Sequence, residues 1–179
     1  MSKKVLVIST SLRKNSNSEA MADSFIVGAQ AAGHDVKKIS LRGKKIAFCQ
    51  GCLACQSTQK CVIDDDAVEI ASQMGQADVI AFATPIYYYE MSGQMKTMLD
   101  RANPLFSSNY AFRDIYMLTA AAEDDSYVPE KAINGLQGWI DCFEKAHLAG
   151  SLFAGGVTKA SDIESHPALQ QAYALGKAI

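Results

Sequence analysis

The chain has 179 residues, 49% of them hydrophobic, and a formal net charge of -2 from 17 Lys and Arg against 19 Asp and Glu. This length can bury one substantial core but is short for two full domains, so we predict a single domain over residues 1–179. The nearly balanced charge argues against nucleic acid or an anionic membrane surface as a partner.

The first apolar run and the cysteines indicate the compartment. Residues 5–8 are apolar but too few for a signal-peptide core or a membrane span, so we expect a cytoplasmic protein. Five cysteines in a reducing compartment argue against a disulfide framework and favour metal binding, catalysis or packing.

Short apolar segments alternate with helical patterns along the chain. The predicted strands are residues 5–10, 36–41, 78–84, 114–121 and 151–157. The second alternates weakly, as a strand near a sheet edge does, and the third is apolar on both faces, as a central parallel strand is. Strands alternating with helices predict a parallel, doubly wound sheet, which binds ligands beyond the carboxyl ends of its strands.

The helices are predicted from apolar residues at helical spacing. Residues 42–61 show no hydrophobic periodicity and are predicted to form a long functional loop. Cys142 falls in the fourth predicted helix and is predicted to belong to the core. The helix-face residues are, in chain order, Met21, Phe25 and Ala29; Val68, Ile70 and Met74; Met91, Met95, Met98, Leu99 and Ala102; Ile133, Leu136, Ile140, Phe143 and His147; and Leu169, Ala172, Tyr173 and Gly176.

The loop after the first strand is rich in hydroxyl and amide side chains. Backbone N–H groups at the start of the next helix point at an anion, and Arg13 adds a charge-assisted bond, so this loop can wrap a phosphate. It lacks the G-x-x-x-x-G-K-[ST] and G-x-G-x-x-G patterns, which argues against nucleoside triphosphates and a Rossmann-bound NAD. Alternatively, its Ser and Asn residues only cap the helix and form a turn.

Residues 11–18, Ser-Leu-Arg-Lys-Asn-Ser-Asn-Ser, closely resemble the phosphate loop of the NADPH-dependent FMN reductase and iron-sulfur flavoprotein families, although Thr10 and Leu12 replace the usual Gly and Pro. Both families are flavodoxin-like. The resemblance implies a five-stranded parallel sheet in the order 2-1-3-4-5, with helices on both faces, and FMN as the cofactor. The residues implied to bind FMN in this first loop are Ser9, Ser11, Arg13, Ser16, Asn17 and Ser18.

The segment after the third strand resembles the P-x-Y-x-x-x-x-S-G stretch of the same families, which lines the flavin ring. A flavin needs a flat apolar wall and nearby N–H donors. Alternatively, the tyrosines form a subunit interface, which can hold for Tyr88 or Tyr89 while Tyr87 still touches the ring. The residues implied to bind FMN here are Thr84, Pro85, Ile86, Tyr87 and Tyr88.

After the fourth strand, Thr119, Ala120 and Ala121 occupy the place of the third flavin loop in the resembling families. Their small side chains permit close approach of the backbone to a ligand. The alternative is an ordinary exposed turn that continues into the acidic residues 123–125.

The cysteine-rich loop, residues 42–63, holds Cys49, Cys52, Cys55 and Cys61 in the pattern C-x-x-C-x-x-C-x-x-x-x-x-C. Such compact spacing suits a 4Fe-4S cluster, whereas zinc prefers two cysteine pairs set further apart. The spacing also matches the cysteine motif of the iron-sulfur flavoproteins. A 4Fe-4S cluster, an empty or redox-active thiol loop and a zinc site all remain open.

The resemblance implies an FMN-dependent oxidoreductase that takes electrons from NAD(P)H or a reduced carrier and passes them to a quinone, a flavin, iron or a protein. We expect a homodimer or homotetramer on the same ground. His34, His147 and His166 are predicted to cap, pack or face solvent, and no catalytic side chain is assigned. The alternatives are an iron-sulfur flavoprotein acting as a non-enzymatic electron carrier or redox sensor, and a zinc-stabilised binding domain without a flavin.

Overall fold

The computed structural model describes all residues 1–179. None of its helices combines the length and apolar character that crossing a membrane requires. Two 3₁₀ turns lie at Asn103–Ser107 and Asp162–Ser165. The helices and strands are β1 (Lys4–Ser9), α1 (Asn17–Ala31), β2 (Asp35–Ser40), α2 (Cys55–Thr58), α3 (Asp66–Gln76), β3 (Val79–Tyr87), β4 (Glu90–Met91), α4 (Gly93–Arg101), β5 (Asp114–Ala120), α5 (Glu130–Ile140), β6 (His147–Ala154) and α6 (Ala168–Lys177).

Five of the strands form one parallel sheet in the order β2-β1-β3-β5-β6, and β4 pairs antiparallel with the end of β3. Numbered along the chain, the five parallel strands are in the order 2-1-3-4-5. The predicted α/β doubly wound sheet is therefore confirmed, and so is the edge position of its second strand.

The two faces of the sheet are covered by different helices. Leu6 and Ile8 of β1 belong to a core that includes residues of α3, α4 and α5, whereas Val5 and Val7 belong to a second core with α1 and α6. Alternate residues of a strand point to opposite faces, so apolar residues at every position require helices on both sides.

Helices α1 and α6 touch through glycines. A Cβ atom on Gly28 would lie 2.0 Å from the carbonyl oxygen of Tyr173, and one on Gly176 would lie 2.1 Å from that of Phe25. Only residues without a side chain allow the two backbones to come so close. This contact fixes α6, and the loop that precedes it, against α1.

The strand β3 is longer than predicted. Pro85, Ile86 and Tyr87 were expected in a loop, but they continue the strand, and Met91, expected on a helix, lies in β4. The pairing of β1 with β3 ends at Ala83, so Pro85 has a strand neighbour on one side only. A proline, which lacks the backbone N–H group, is tolerated in such an edge position.

The predicted fourth helix is too long. It ends at Ile140, so Phe143 lies in the following turn and His147 starts β6. Phe143 is nevertheless buried, with its ring 5.1 Å from the ring of Tyr110 and at a steep angle to it. The apolar side chain of Phe143 therefore indicated a buried position and not a helical one. Cys142 is exposed, so the prediction that it belongs to the core was wrong.

We expect Gly28→Ala to lower the free energy of unfolding by about 2–3 kcal/mol, because the new methyl group must push apart two backbones. Gly138→Ala is the matched control. Gly138 is exposed within α5 with open space around it, so alanine should stabilise the helix by about 0.5–1 kcal/mol. Urea unfolding of both variants measures the difference. Equal effects would contradict the close contact of α1 with α6.

Candidate functional site

A cleft of about 220 Å³ opens at the carboxyl ends of β1, β3 and β5. Most of the residues predicted to bind FMN lie around this one opening, although they come from three separate loops. Those that line the cleft are Ser11, Arg13, Ser16, Asn17, Ser18, Pro85, Ile86, Tyr87, Ala120 and Ala121.

The N-terminus of α1 faces the cleft. Ser16 is the N-cap, and its hydroxyl oxygen accepts a hydrogen bond of 3.2 Å from the backbone N–H of Glu19, which leaves its own hydrogen to donate. The hydroxyl of Ser18 is buried and has no hydrogen-bond partner. A buried polar group without a partner carries a free-energy cost, and a bound anion would remove it.

Arg13 is the one charged residue that lines the cleft, and no acidic residue lines it. Its Nη1 atom donates to the carbonyl oxygen of Thr158 at 2.6 Å, while Nη1 of Arg42 donates to the carbonyl oxygen of Arg13 at 3.1 Å. Arg42 also pairs with Glu19 at 3.2 Å. The loop is therefore held from both sides, and the charge of the opening favours an anion.

Sequence reasoning missed the loop after β6, which brings Val157 and Thr158 into the cleft wall. The side-chain amide of Asn17 donates to the carbonyl oxygen of Lys159 at 3.0 Å. Asp162 accepts from the backbone N–H groups of Lys159 and Thr158, at 2.6 and 3.0 Å, and these bonds lower the pKa of Asp162. The side chain of Asn17 thus positions this loop.

A buried network of hydroxyl groups joins three elements beside the cleft. The hydroxyl of Thr10 donates to the carbonyl oxygen of Ala83 and lies 3.0 Å from the Ser92 hydroxyl. Thr84 Oγ1 accepts from the backbone N–H of Ser92 at 3.1 Å, and Ser92 caps α4 through the N–H of Met95. Thr84 was predicted to contact the flavin, but it lies within this network and not in the cleft lining.

Three other residues predicted to bind FMN also stand outside the cleft lining. Ser9 is fully buried in β1 with an unpartnered hydroxyl, and the hydroxyl of Thr119 donates to the carbonyl oxygen of Leu152 within the sheet. Tyr88 is 98% exposed at the tip of the β3–β4 hairpin. Alternation along β5 turns Thr119 away from the opening that Ala120 lines.

The three consecutive tyrosines have different surroundings. Tyr87 lines the cleft and is half-exposed, whereas Tyr88 and Tyr89 form the hairpin turn with φ values of 52° and 65°. A two-residue turn with both φ values positive suits the twist of a hairpin. Tyr89 stacks on Tyr127 and donates to Glu123 at 3.3 Å, a bond that raises the pKa of Tyr89.

None of the histidines lines the cleft. His34 Nδ1 accepts from the backbone N–H of Lys3 at 3.2 Å, and His166 Nδ1 accepts from that of Ala168 at 3.1 Å. His147 is exposed. Two of the three histidines thus accept bonds from backbone N–H groups, and the third faces solvent.

A buried ion pair holds the two ends of the cysteine loop. Arg101 is 1% exposed and binds both oxygens of Asp65, at 2.6 and 2.8 Å. It also donates to the carbonyl oxygens of Ala47 and Ile63, at 2.8 and 2.9 Å. Burial raises the pKa of Asp65, but the bonds from Arg101 and from the N–H groups of Ala47 and Ala67 outweigh it, so this pKa is lowered.

The cysteines themselves line one cavity of about 20 Å³, which has room for one group the size of water. No three His, Cys, Asp or Glu side chains in the chain are grouped as ligands of a metal ion. The side-chain amide of Asn103 donates to the sulfur of Cys55 at 3.0 Å. The arrangement therefore does not fit a 4Fe-4S cluster, and the prediction of a cluster at Cys49, Cys52, Cys55 and Cys61 is not supported.

The cleft at the carboxyl ends of β1, β3 and β5, in contrast, fits a flavin mononucleotide. The helix N-terminus, the unpartnered Ser18 hydroxyl and Arg13 suit a phosphate, and the apolar side chains of Pro85 and Ile86 suit a flat ring. Arg42 and Asn17 hold this arrangement in place. What it can do chemically is bind and orient a phosphorylated aromatic cofactor.

Comparison with known proteins agrees with this geometry. Residues 3–127 match the model of the NADPH-dependent FMN reductase family. An iron-sulfur flavoprotein of Archaeoglobus fulgidus is 35% identical over 101 residues, which cover 56% of this chain but only 46% of that protein. An iron-sulfur flavoprotein of Methanosarcina thermophila is 28% identical over 156 residues, covering 87% of this chain and 82% of that protein.

Solved structures share the fold at low identity. A NAD(P)H:quinone oxidoreductase from Methanothermobacter marburgensis superposes with a TM-score of 0.72 at 17% identity, covering 99% of this chain and 96% of that one. An azoreductase from Bacillus anthracis gives a TM-score of 0.73 at 14% identity, covering 99% and 100% of the two chains. At these identities the likeness establishes the flavodoxin-like fold alone.

We expect Asp65→Asn to lower the free energy of unfolding by about 3 kcal/mol, because it leaves the buried charge of Arg101 without its partner. Since the pKa of Asp65 is lowered in the folded state, its contribution is present above the unfolded pKa of about 4 and is lost as pH falls through the folded value. Chemical denaturation at pH 7 and pH 3 measures this. The exposed neighbour Asp64→Asn is the control and should leave stability unchanged.

Proposed function

The chain belongs to the NADPH-dependent FMN reductase family of oxidoreductases, and on this premise we propose that it binds FMN in the cleft at the ends of β1, β3 and β5. Electrons enter from NAD(P)H or a reduced carrier and leave to a quinone, a flavin, iron or a protein acceptor. The whole chain, residues 1–179, acts as one FMN-binding domain, with residues 42–63 as its cysteine-rich loop.

The observation that carries this proposal is the buried, unpartnered hydroxyl of Ser18 in the first turn of α1. The first N–H groups of a helix have no partner within the helix, so this turn offers several donors to one anion. Ser16 and Arg13 stand at the same opening, where no acidic residue opposes a phosphate. A terminal phosphate monoester satisfies all of these donors together.

We assign the ring of the flavin to the wall of the cleft that lies opposite the N-terminus of α1. Pro85 and Ile86 provide its apolar surface, and Tyr87 shields its edge. Ala120 and Ala121 let the backbone after β5 approach closely because their side chains are small. The loop after β6 forms a further side of the cleft through Val157 and Thr158.

Bound FMN supplies the redox chemistry, taking up electrons from a donor and releasing them to an acceptor. The protein's own part is to bind the phosphate, orient the ring and exclude water from the wall formed by Pro85 and Ile86. No titratable residue other than Arg13 and Tyr87 lines the cleft, so no general base is assigned. Tyr87 is half-exposed, which leaves the ring accessible to small planar acceptors.

A second candidate function is that of an electron carrier or redox sensor without turnover, which would bind FMN in the same cleft. The exposed cysteine loop favours this function. The relatives named iron-sulfur flavoproteins suggest a cluster in that loop, but the cavity between the sulfurs does not fit one, and no electron is routed through it.

The five unpaired cysteines favour the cytoplasm, and a homodimer or homotetramer would cover the exposed Tyr88.

We expect Arg13→Gln to weaken FMN binding by about 10- to 100-fold, the cost of one charge-assisted bond to phosphate. Lys14→Gln is the matched control, because Lys14 is an exposed cation next in the chain that does not line the cleft. Quenching of FMN fluorescence measures both affinities. If the two substitutions weaken binding equally, general charge and not the cleft holds the phosphate.

Ser18→Ala should weaken binding of FMN but not of riboflavin, since only FMN carries the phosphate. Ser24→Ala, on the same helix but outside the cleft, should change neither. The expected loss for FMN is roughly 10-fold or more, the value of one hydrogen bond to a charged phosphate. A loss of the same size for riboflavin would place the phosphate elsewhere.

The FMN-loaded protein should oxidise NADH or NADPH in the presence of a quinone such as menadione. Following absorbance at 340 nm under steady-state conditions measures this turnover. Protein carrying Arg13→Gln should lose turnover at low FMN concentration and regain it when FMN is raised. Tight FMN binding without turnover for any acceptor would remove the reductase proposal and favour the carrier.

A further inference from the structure

Two of the segments that line the cleft at the ends of β1, β3 and β5 have no backbone connection beyond the sheet. The pairing of β3 with β5 ends where Pro85 meets Ala120. After this pair, one segment continues through Tyr87 into the β3–β4 hairpin, and the other continues through Ala122. No backbone hydrogen bond joins the two segments past this point. Side-chain contacts therefore set how these two segments stand to each other.

Tyr89, in the turn of the hairpin, provides such contacts. Its ring stacks on the ring of Tyr127, with the centroids 6.1 Å apart and the planes inclined by 23°. Its hydroxyl donates a hydrogen bond of 3.3 Å to Glu123, and the ammonium group of Lys131 lies 5.5 Å from the centre of its ring. We call the contacts of Tyr89 with these three residues the tyrosine clamp.

The tyrosine clamp stands immediately beyond the lining of the cleft. Tyr89 comes two positions after the lining residue Tyr87, and Glu123 directly follows the lining residue Ala122. Two residues of extended chain reach at most about 7 Å. Because so little chain separates the clamp from the lining, the clamp limits how far Tyr87 and Ala122 can move apart.

The backbone of the hairpin turn is unfavourable for tyrosine. Tyr88 and Tyr89 both have positive φ values, 52° and 65°, which glycine and asparagine adopt more readily in a two-residue turn. The side chain of Tyr88 is exposed, whereas Tyr89 is half-buried within the clamp. A hairpin that served only as a turn would gain from glycine at position 89. The strained backbone of Tyr89 is therefore retained together with its side-chain contacts.

We propose that Tyr89 is a positioning residue for the flavin ring, because its contacts with Tyr127 and Glu123 hold the hairpin and the loop after β5 in the arrangement that receives the ring. This inference rests on the proposed function, since it takes FMN as the occupant of the cleft. A flavin that enters a cleft whose sides are already in place does not have to order them, so less binding free energy is lost. The ring is common to FMN and riboflavin, so the clamp acts equally on both.

Tyr89→Gly tests the proposal. The substitution removes the stack and the hydrogen bond but relieves the positive φ, so the midpoint of urea unfolding should stay at or above that of the wild type. The affinities for FMN and riboflavin should fall by the same factor, about tenfold, the value of one aromatic pair and one weak hydrogen bond. Flavin fluorescence quenching measures both. If stability falls in step with affinity, Tyr89 only holds the fold and the proposal is overturned.

Tyr127→Leu breaks the stack from the other side and also serves should Tyr89→Gly fail to fold. Its expected loss is similar, and a double variant with Tyr89→Gly should bind flavin no more weakly than either single variant. Losses that multiply would show that the two tyrosines act independently, which overturns the proposal. Tyr89→Phe keeps the stacked ring and should retain flavin affinity within about threefold of the wild type.

Phe106→Ala is the matched control. Phe106 is also an exposed aromatic residue, but it lies in the 3₁₀ turn after α4 and does not line the cleft, so its loss should change neither affinity. Ser18→Ala in the same assay should affect FMN alone, which separates the two ends of the cleft. A wild-type protein that binds neither flavin would remove the proposed function and this inference with it. A wild-type protein that binds both, with unchanged affinity in Tyr89→Gly, would overturn this inference alone.

Discussion

The cleft at the carboxyl ends of β1, β3 and β5 depends on the unequal length of two neighbouring strands at the centre of the sheet. The pairing of β1 with β3 ends where Ser9 meets Ala83, whereas β3 goes on pairing with β5 to Pro85 and continues to Tyr87. The unpaired side of this extension forms one wall of the cleft, and the chain that leaves β1 can turn across it. The hydroxyl of Thr10, bonded to the carbonyl oxygen of Ala83, fixes where that turn begins.

A contact far from the opening completes the cleft. Because Gly28 and Gly176 let α1 and α6 touch backbone to backbone, the loop between β6 and α6 must pass over the N-terminus of α1. There it meets Arg13 and Asn17, whose side chains bond to its carbonyl oxygens. A Cβ on Gly155 would lie 2.3 Å from Asp124, so this loop is also pressed against the one that follows β5. Packing between helices thus determines the shape of the cleft.

The parts predicted from sequence are those that a local pattern encodes. Apolar periodicity records which face is buried, so it found the five parallel strands and most helices, but it marks burial without helix at Phe143. The order of the strands came from the family resemblance. The loop after β1 is contiguous in sequence, so its pattern could place Ser16 and Arg13 together at the cleft, whereas Thr158 reaches the cleft only through the contact of α1 with α6. The hydroxyl of Thr84 carried no sign of whether it would face a ligand or the interior network. Cysteine spacing likewise shows that sulfurs are near one another but not whether they converge.

Helix α4 connects the surroundings of the cleft with the cysteine loop. Its N-cap, Ser92, belongs to the hydroxyl network beside the cleft, and its last residue, Arg101, holds both ends of the cysteine loop. The nine residues of α4 span only about 13 Å at the rise of an α-helix. Burying an arginine is costly unless each donor is used, and four of its five N–H groups serve to close the loop. A helix anchored by buried polar groups at each end thus joins the cysteine loop to the hydroxyl network beside the cleft.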